Sequence, residues 1–408
     1  MAAILNDCGS LSPVLYKDRQ AAIFGREIRD KRQSRRCRSI TATSVQNFIG
    51  LGTILVDKTR TTQFADTEWA TGDWVDYYAP INPRGDGYQS PSGSSAGSGA
   101  GLAVYPWLDF ATGTDSCGSI LSPAAVQILF NMWPSLRVTD VEGVLPWSPM
   151  FDTFGVFPRD LESYVTAARV IHADSEAKKC LSKPRRILYP TDYLPVEHSE
   201  SQDFYNNFIA KLESLGIQKE ELDLSVLWLK SNPIQTTQAL SEYLHNNLPY
   251  VYELAQFKSY EKFAREYKEA YGVKPIFNPQ GQFRFEWAPT ATESMQVEGL
   301  KQSAVFKKWI EAEILPVNEY GCSENLLLLP WTFASPTYRN LYHERPAWVG
   351  AGFFFYDILP YAQAPETILP IGQTRNHSRV TDSEEWLPVS NGIIASQNND
   401  IFRTEAVL

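Results

Sequence analysis

The chain has 408 residues, 43% hydrophobic and 13% aromatic, enough apolar material for one large α/β domain or two modest ones. Its 37 basic against 47 acidic residues leave a formal charge of −10, which argues against a nucleic-acid surface, because phosphate binding needs a basic face. Five scattered cysteines (Cys8, Cys37, Cys117, Cys180, Cys322) and five scattered histidines form no Cys-x-x-Cys or His-x-x-x-His pair. They support no metal site and fit reduced thiols better than a disulfide framework.

No N-terminal apolar run has the form of a signal peptide. The basic run 25–38 reads as a solvated helix or loop. Thr41 or Ser44 then caps a short helix with Val45, Phe48 and Ile49 on its apolar side, closed by Gly50 and Gly52. A strand at 53–56 leads into Lys58, and Pro80, Pro83, Gly85 and Gly87 mark a loop. The mostly apolar segment 99–111 is long enough for a buried helix and strand. Helical spacing recurs at 199–215, stopped by Gly216, at 252–271, stopped by Gly272, and at 296–315. The aromatics of 252–271 read as core packing in preference to an acyl pocket. Late strands are expected at 326–329 and 367–369. The apolar run 347–358 is too short to span a bilayer and carries Asp357. Helices alternating with short apolar strands indicate an α/β layer architecture, and a cytoplasmic location is the expectation.

The chemistry concentrates in residues 90–124, SPSGSSAGSGAGLAVYPWLDFATGTDSCGSILSPA. A small-residue loop holding Ser94 and Ser95 precedes a second loop ending in Gly118-Ser119-Ile120. Such density of Gly, Ala and Ser lets backbone N–H groups approach a ligand atom closely. Two serine loops joined by a buried connection suggest acyl transfer, with a serine nucleophile and N–H donors for an oxyanion. The bland alternative is a flexible Gly/Ser loop beside a core segment. Gly93-Ser94-Ser95-Ala96-Gly97 also fits G-x-S-x-G, but a loop rather than a strand precedes it, which counts against an α/β-hydrolase elbow. No Gly-Lys-Ser/Thr ending marks a phosphate loop.

Ser92-Gly93-Ser94-Ser95-Ala96-Gly97-Ser98 followed by Gly113-Thr114-Asp115-Ser116-Cys117-Gly118-Ser119-Ile120 resembles the amidase signature family. That family includes the A subunit of the glutamyl-tRNA amidotransferase and fatty acid amide hydrolase. The resemblance continues through LVDKTRTTQFAD (55–66), GVLPWSPMFDTFGVFPRD (143–160) and the late LPIGQ and EEWLPVS segments. The run INPRGDGYQSPSGSSAG is most similar to amidase-like proteins of filamentous fungi. The resemblance implies a single domain over 1–408 with 90–124 as its signature core, and a mixed central β-sheet flanked by helices, shortened at the N-terminus. It implies hydrolysis of a carboxamide through an acyl-enzyme, with a small amide as substrate, no cofactor, no membrane span and a homo-oligomer allowed.

By motif position Ser119 is the nucleophile and Ser94 the bridging serine, which the family carries in a cis peptide. The serine spacing is one residue longer than usual, with an insertion near Tyr105-Pro106-Trp107, and Ser95 is the alternate bridge. The N–H groups of Ser116, Cys117 and Gly118, with that of Ser119, form the oxyanion site. For the lysine base the resemblance implies Lys17, because Pro13-Val14-Leu15-Tyr16-Lys17-Asp18 has the family's apolar–Lys-Asp form. Lys58 matches a later segment. Cys117 stands where the pattern has Gly, and the expectation is a strained loop. It reads as a small buried side chain, since no His in the signature would activate it. Leu121 stands where Arg is usual, so Asp115 is expected to lack its charge partner, shifting its pKa or disordering the loop. These departures support an alternative: a weak or inactive amidase fold serving as a binding or scaffold protein.

Overall fold

The computed structural model describes residues 2–5 (backbone only), 41–66, 73–74, 78–172, 180, 182–340 and 351–400. Among the described residues ten strands form one sheet: β1 (Ala2–Leu5), β2 (Ile54–Lys58), β3 (Phe110–Asp115), β4 (Asn131–Trp133), β5 (Thr153–Pro158), β6 (Arg186–Pro190), β7 (Gln218–Leu222), β8 (Asn325–Phe333), β9 (Glu366–His377) and β10 (Glu384–Ile394). Their order is β2-β1-β3-β5-β4-β9-β10-β8-β6-β7. Neighbours are parallel at both ends of the sheet and antiparallel from β3 through β8. The expected mixed α/β architecture is the observed one.

Side-chain alternation along the central strands divides the core between the two faces. Leu327 and Leu329 of β8, Ile368 of β9 and Ile394 of β10 pack into the largest cluster. Their neighbours Leu326, Leu328, Leu369 and Ile393 pack into a second cluster on the other face. Phe110 of β3 and Phe154 and Val156 of β5 pack into a third cluster. With both faces covered, Leu326–Leu329 of β8 reads as a continuous apolar run rather than an alternating one.

The expected helices are present with shifted ends. Helix α1 (Thr43–Gly50) buries Val45 and Phe48 but has Ala42 at its N-cap and no side-chain cap. Ser44 instead donates to the Asp140 carbonyl, and Ile49 is exposed. Helix α2 (Ala96–Val104) leads toward β3, followed by α3 (Leu121–Ala125) and α4 (Leu161–Ile171). Helix α5 (Ser199–Ser214) buries Tyr205, Ile209 and Leu212 and ends before Gly216, whose φ of +85° is a conformation glycine adopts at low cost. Helices α6 (Leu224–Ser231) and α7 (Leu240–Tyr243) lead to a π-helical turn, Pro249–Glu253, and α8 (Leu254–Tyr271). Tyr260 and Phe263 of α8 pack on Phe64, with ring centroids 4.7 and 5.6 Å apart, so these aromatics serve packing as expected. Helices α9 (Pro279–Trp287), α10 (Glu293–Trp309) and α11 (Ile358–Ala362) complete the set.

One composition-based expectation is corrected. Cys180 and Cys322 are joined as a disulfide with Cα atoms 5.5 Å apart, although 142 residues separate them. Nothing in their spacing announces the pairing. Cys117 is free, whereas Cys8 and Cys37 lie outside the described residues. Among the described residues no helix is long and apolar enough to cross a membrane, and no His/Cys/Asp/Glu group could hold a metal ion.

Candidate active site

The first serine loop is a built structure. Asn82 Nδ2 donates to the Ser90 and Val126 carbonyls at 3.0 and 3.2 Å, and Arg84 Nε donates to the Gln127 carbonyl at 2.9 Å. Asp86 accepts from the Tyr88 N–H at 2.8 Å and from Ser378 Oγ at 2.6 Å. The Gly/Ser composition therefore does not amount to a flexible linker. No strand leads into the loop among the described residues, and Ser95, the serine of the G-x-S-x-G string, is fully buried, so the elbow geometry is absent.

The Gly93–Ser94 peptide is cis, at the position where the resemblance puts such a bond. The Ser94 carbonyl accepts from the Thr62 N–H at 3.2 Å. Ser95 faces the protein interior: its hydroxyl lies 3.4 Å from the Thr114 carbonyl, and its N–H donates to the Ser119 carbonyl at 3.0 Å. That last bond ties the first loop to the second. Ser92 and Ser122, whose hydroxyls lie 2.6 Å apart, add another tie. Gly113 supplies the clearance between them, because a Cβ there would lie 2.6 Å from both Ser95 Oγ and Ile120 Cγ2. Among the described residues neither the Ser94 nor the Ser119 hydroxyl has a hydrogen-bond partner.

The second loop wraps around Asp115. Its carboxylate accepts from the Gly118 N–H at 2.6 Å, the Ile120 N–H at 2.5 Å and the Leu121 N–H at 3.4 Å. Burial raises its pKa to about 7, opposed by these backbone donors and that of Ser119. The loop thus supplies from its own backbone what a guanidinium was expected to supply. The pKa shift occurs, but the expected disorder does not. Leu121 is buried in the main core cluster instead.

Cys117 has no positive φ; the left-handed position of the loop is Gly118, at φ +100°. The expected backbone strain at Cys117 is therefore absent, and the glycine the turn requires is present. The Cys117 thiol is half-buried, 3.8 Å from Asp357 Oδ1, and burial followed by the Asp357, Asp115 and Glu253 carboxyls pushes its pKa up. That is the reverse of what a nucleophilic thiolate needs. The Gly118 N–H is committed to Asp115, so among the described residues the loop N–H groups without an acceptor are those of Ser116 and Cys117.

Lys17 lies outside the described residues. Lys58 ends β2, and its N–H bonds Asp57 Oδ1 at 2.8 Å. Several site-bearing groups carried no sequence signal of their own. Asp152, within the quoted 143–160 segment, accepts from Ser116 Oγ at 2.5 Å and from the Trp147 and Ser148 N–H groups, so it anchors the start of the second loop. Arg284 on α9 forms ion pairs with Asp66 and, at 3.0 Å, with Glu253, all three buried. This triad joins the end of the 55–66 segment to α9 and to the π-helical turn before α8.

The buried carboxyls carry a pH consequence. Burial is the first cause of raised pKa values at Asp115 and Asp357, to about 7, and at Glu366 and Glu253, to about 8. Between pH 6.5 and 8.5 the unfolded chain has already released these protons, whereas the folded chain still binds part of them. Stability therefore falls as pH rises through this window. His172, lowered to about 4 by burial, is neutral in both states above its unfolded value and opposes this only at lower pH. The thermal midpoint should be higher at pH 6.5 than at pH 8.5; a midpoint that rises with pH there would contradict the burial of these carboxyls.

A ten-stranded mixed sheet presenting two backbone-tied serine loops defines an α/β protein of the kind seen in solved amidases. The similar folds include a crystal structure of an amidase (TM-score 0.67, 17% identity, covering 100% of this chain and 82% of that one) and native peptide amidase from Stenotrophomonas maltophilia (0.63, 16%, 98% and 79%). The amidase family model matches residues 34–278, and the chain belongs to the amidase family. Amidase 1 of Oryza sativa subsp. japonica is 36% identical over 125 residues, 31% of this chain and 28% of that protein. Amidase 1 of Arabidopsis thaliana is 30% identical over 160 residues, 36% of this chain and 36% of that protein. A glutamyl-tRNA(Gln) amidotransferase component of Sulfurisphaera tokodaii is 23% identical over 269 residues, 63% of this chain and 52% of that protein. The chain thus spans about half or less of the length of these curated relatives.

Proposed function

We propose that the protein hydrolyses a carboxamide through an acyl-enzyme on Ser119, with Ser94 as the bridging serine and Lys17 as the base. The observation that carries this reading is the Ser95 N–H to Ser119 carbonyl bond at 3.0 Å, which holds together two loops whose Ser94 and Ser119 hydroxyls have no partner among the described residues. Neutral Lys17 takes a proton from Ser94 as Ser94 takes one from Ser119, and Ser119 Oγ bonds to the amide carbon. The N–H groups of Ser116 and Cys117 receive the oxyanion, while Gly118 provides the turn and keeps its own N–H on Asp115. Collapse breaks the C–N bond and returns the proton to the leaving amine. Water then cleaves the ester and releases the acid. Each half-reaction needs only proton relay and a serine ester, so no cofactor enters.

A fluorophosphonate probe tests this directly. It should attach to Ser119, located by mass spectrometry of the digested protein, and Ser119→Ala should take no label and lose turnover by at least about 10,000-fold. An adduct on Ser95 or Cys117 would overturn the assignment of Ser119 as nucleophile, and an unlabelled native chain would favour a binding protein built on the same fold.

A further inference from the structure

Trp331, on β8, is held at both ends of its indole. Its Nε1–H donates to Glu366 Oε1 at 2.6 Å, at the start of β9. The position of Gly392 on β10 leaves the ring its space, because a Cβ there would strike Glu366 Oε1 and lie 2.6 Å from Trp331 Cδ1 and Nε1. The far edge of the indole meets the second serine loop: a Cβ on Gly118 would lie 3.4 Å from Trp331 Cη2. Phe355 braces the ring edge-on, with centroids 5.4 Å apart. Glu366 is fully buried, and its Oε2 has no hydrogen-bond partner among the described residues.

We propose that Glu366 and Trp331 are positioning residues for the second serine loop. Glu366 fixes the indole, and the indole keeps Gly118 turned toward Asp115, on which the placing of Ser119 depends. The inference rests on the acyl-enzyme reading only for its effect on rate. Three adjacent central strands contribute to a contact that reaches the loop, and sheet packing alone does not require a buried carboxyl there. Burial raises the Glu366 pKa to about 8, so the group is a neutral acid near pH 7 and still offers its carbonyl oxygen to the indole. Glutamine should replace it; alanine should not.

The test uses the full chain in native, E366Q, E366A and W331F forms, first screened by thermal melting. Hydrogen exchange of the peptide covering 115–121 should quicken by roughly tenfold or more in E366A and in W331F, which keeps a ring but no N–H donor, and should stay native in E366Q. The rate constant of fluorophosphonate attachment should fall roughly 10- to 100-fold in the same two variants, with the probe's binding constant little changed, because a displaced nucleophile loses rate rather than affinity. Native exchange in a folded E366A or W331F overturns the proposal, as does an E366Q that behaves like E366A. If E366A does not fold, W331F decides alone. A native chain that takes no label refutes the acyl-enzyme reading, while the exchange data still decide this one.

Discussion

Replacing Asp115 with alanine should remove measurable serine labelling and lower stability together. The carboxylate accepts from the Gly118, Ile120 and Leu121 N–H groups, all in a buried loop. Each donor left without a partner there costs about 1–3 kcal/mol, so the variant should lose several kcal/mol in total. The loop carrying Ser119 would have no centre to fold around, and misplacing a reacting group by about 1 Å can cost about 100-fold in rate. Asp115→Asn separates the roles. Its oxygen can still accept on one side, but its NH₂ faces an N–H on the other, so labelling should be slowed rather than abolished. Asparagine does not titrate, so the fall in thermal midpoint from pH 6.5 to 8.5 should become shallower. The sign follows from burial: a carboxyl with a folded pKa of about 7 binds a proton that the unfolded chain releases near pH 4, and its ionisation on the way up weakens the folded state. Native labelling in Asp115→Ala would show that the loop does not depend on this carboxylate.

Asp115 also marks how far the sequence can be read. The serine loops are legible because close backbone approach demands small side chains, and Gly113, Gly118, Ser94 and Ser119 leave that trace in the chain. Helices such as α5 and α8 are legible because their apolar spacing and their glycine stops are local. The fate of Asp115 is not local: the absence of arginine at 121 suggests a lost partner, and only the fold shows the backbone N–H groups taking its place while Leu121 enters the core. Strand β7, with the sequence QKEEL, lies at a sheet edge with mixed exposure and offers no apolar pattern. Strand β10 mixes Pro388, Asn391 and Gly392 among its apolar residues, so its eleven-residue length is hidden. The pairs Cys180–Cys322 and Trp331–Glu366 depend on strand order, which no residue spacing encodes.

The same limit applies to Arg284, where the second large effect is expected. Its guanidinium pairs with Asp66, 218 positions away in the chain, and with Glu253 at 3.0 Å, and lies 5.8 Å from the Trp147 ring centroid. All three charged residues are buried. Burial raises the Glu253 pKa, which the Arg284 charge opposes, so near neutral pH the ionic pair is mainly Arg284 with Asp66. Arg284→Met keeps much of the volume and removes the charge, leaving the Asp66 carboxylate in the interior without its cation. Breaking a buried pair in this way costs about 3–5 kcal/mol, chiefly because a charge remains uncompensated. The triple variant Arg284→Met, Asp66→Asn, Glu253→Gln removes every ionisable member and should recover most of that loss. Melting of the native, single and triple forms at pH 7 checks both statements. A single variant with the native midpoint would mean that the triad does not anchor α9 and the π-helical turn to the 55–66 segment. A triple variant no better than the single would mean that the guanidinium contributes through packing against Trp147 rather than through charge.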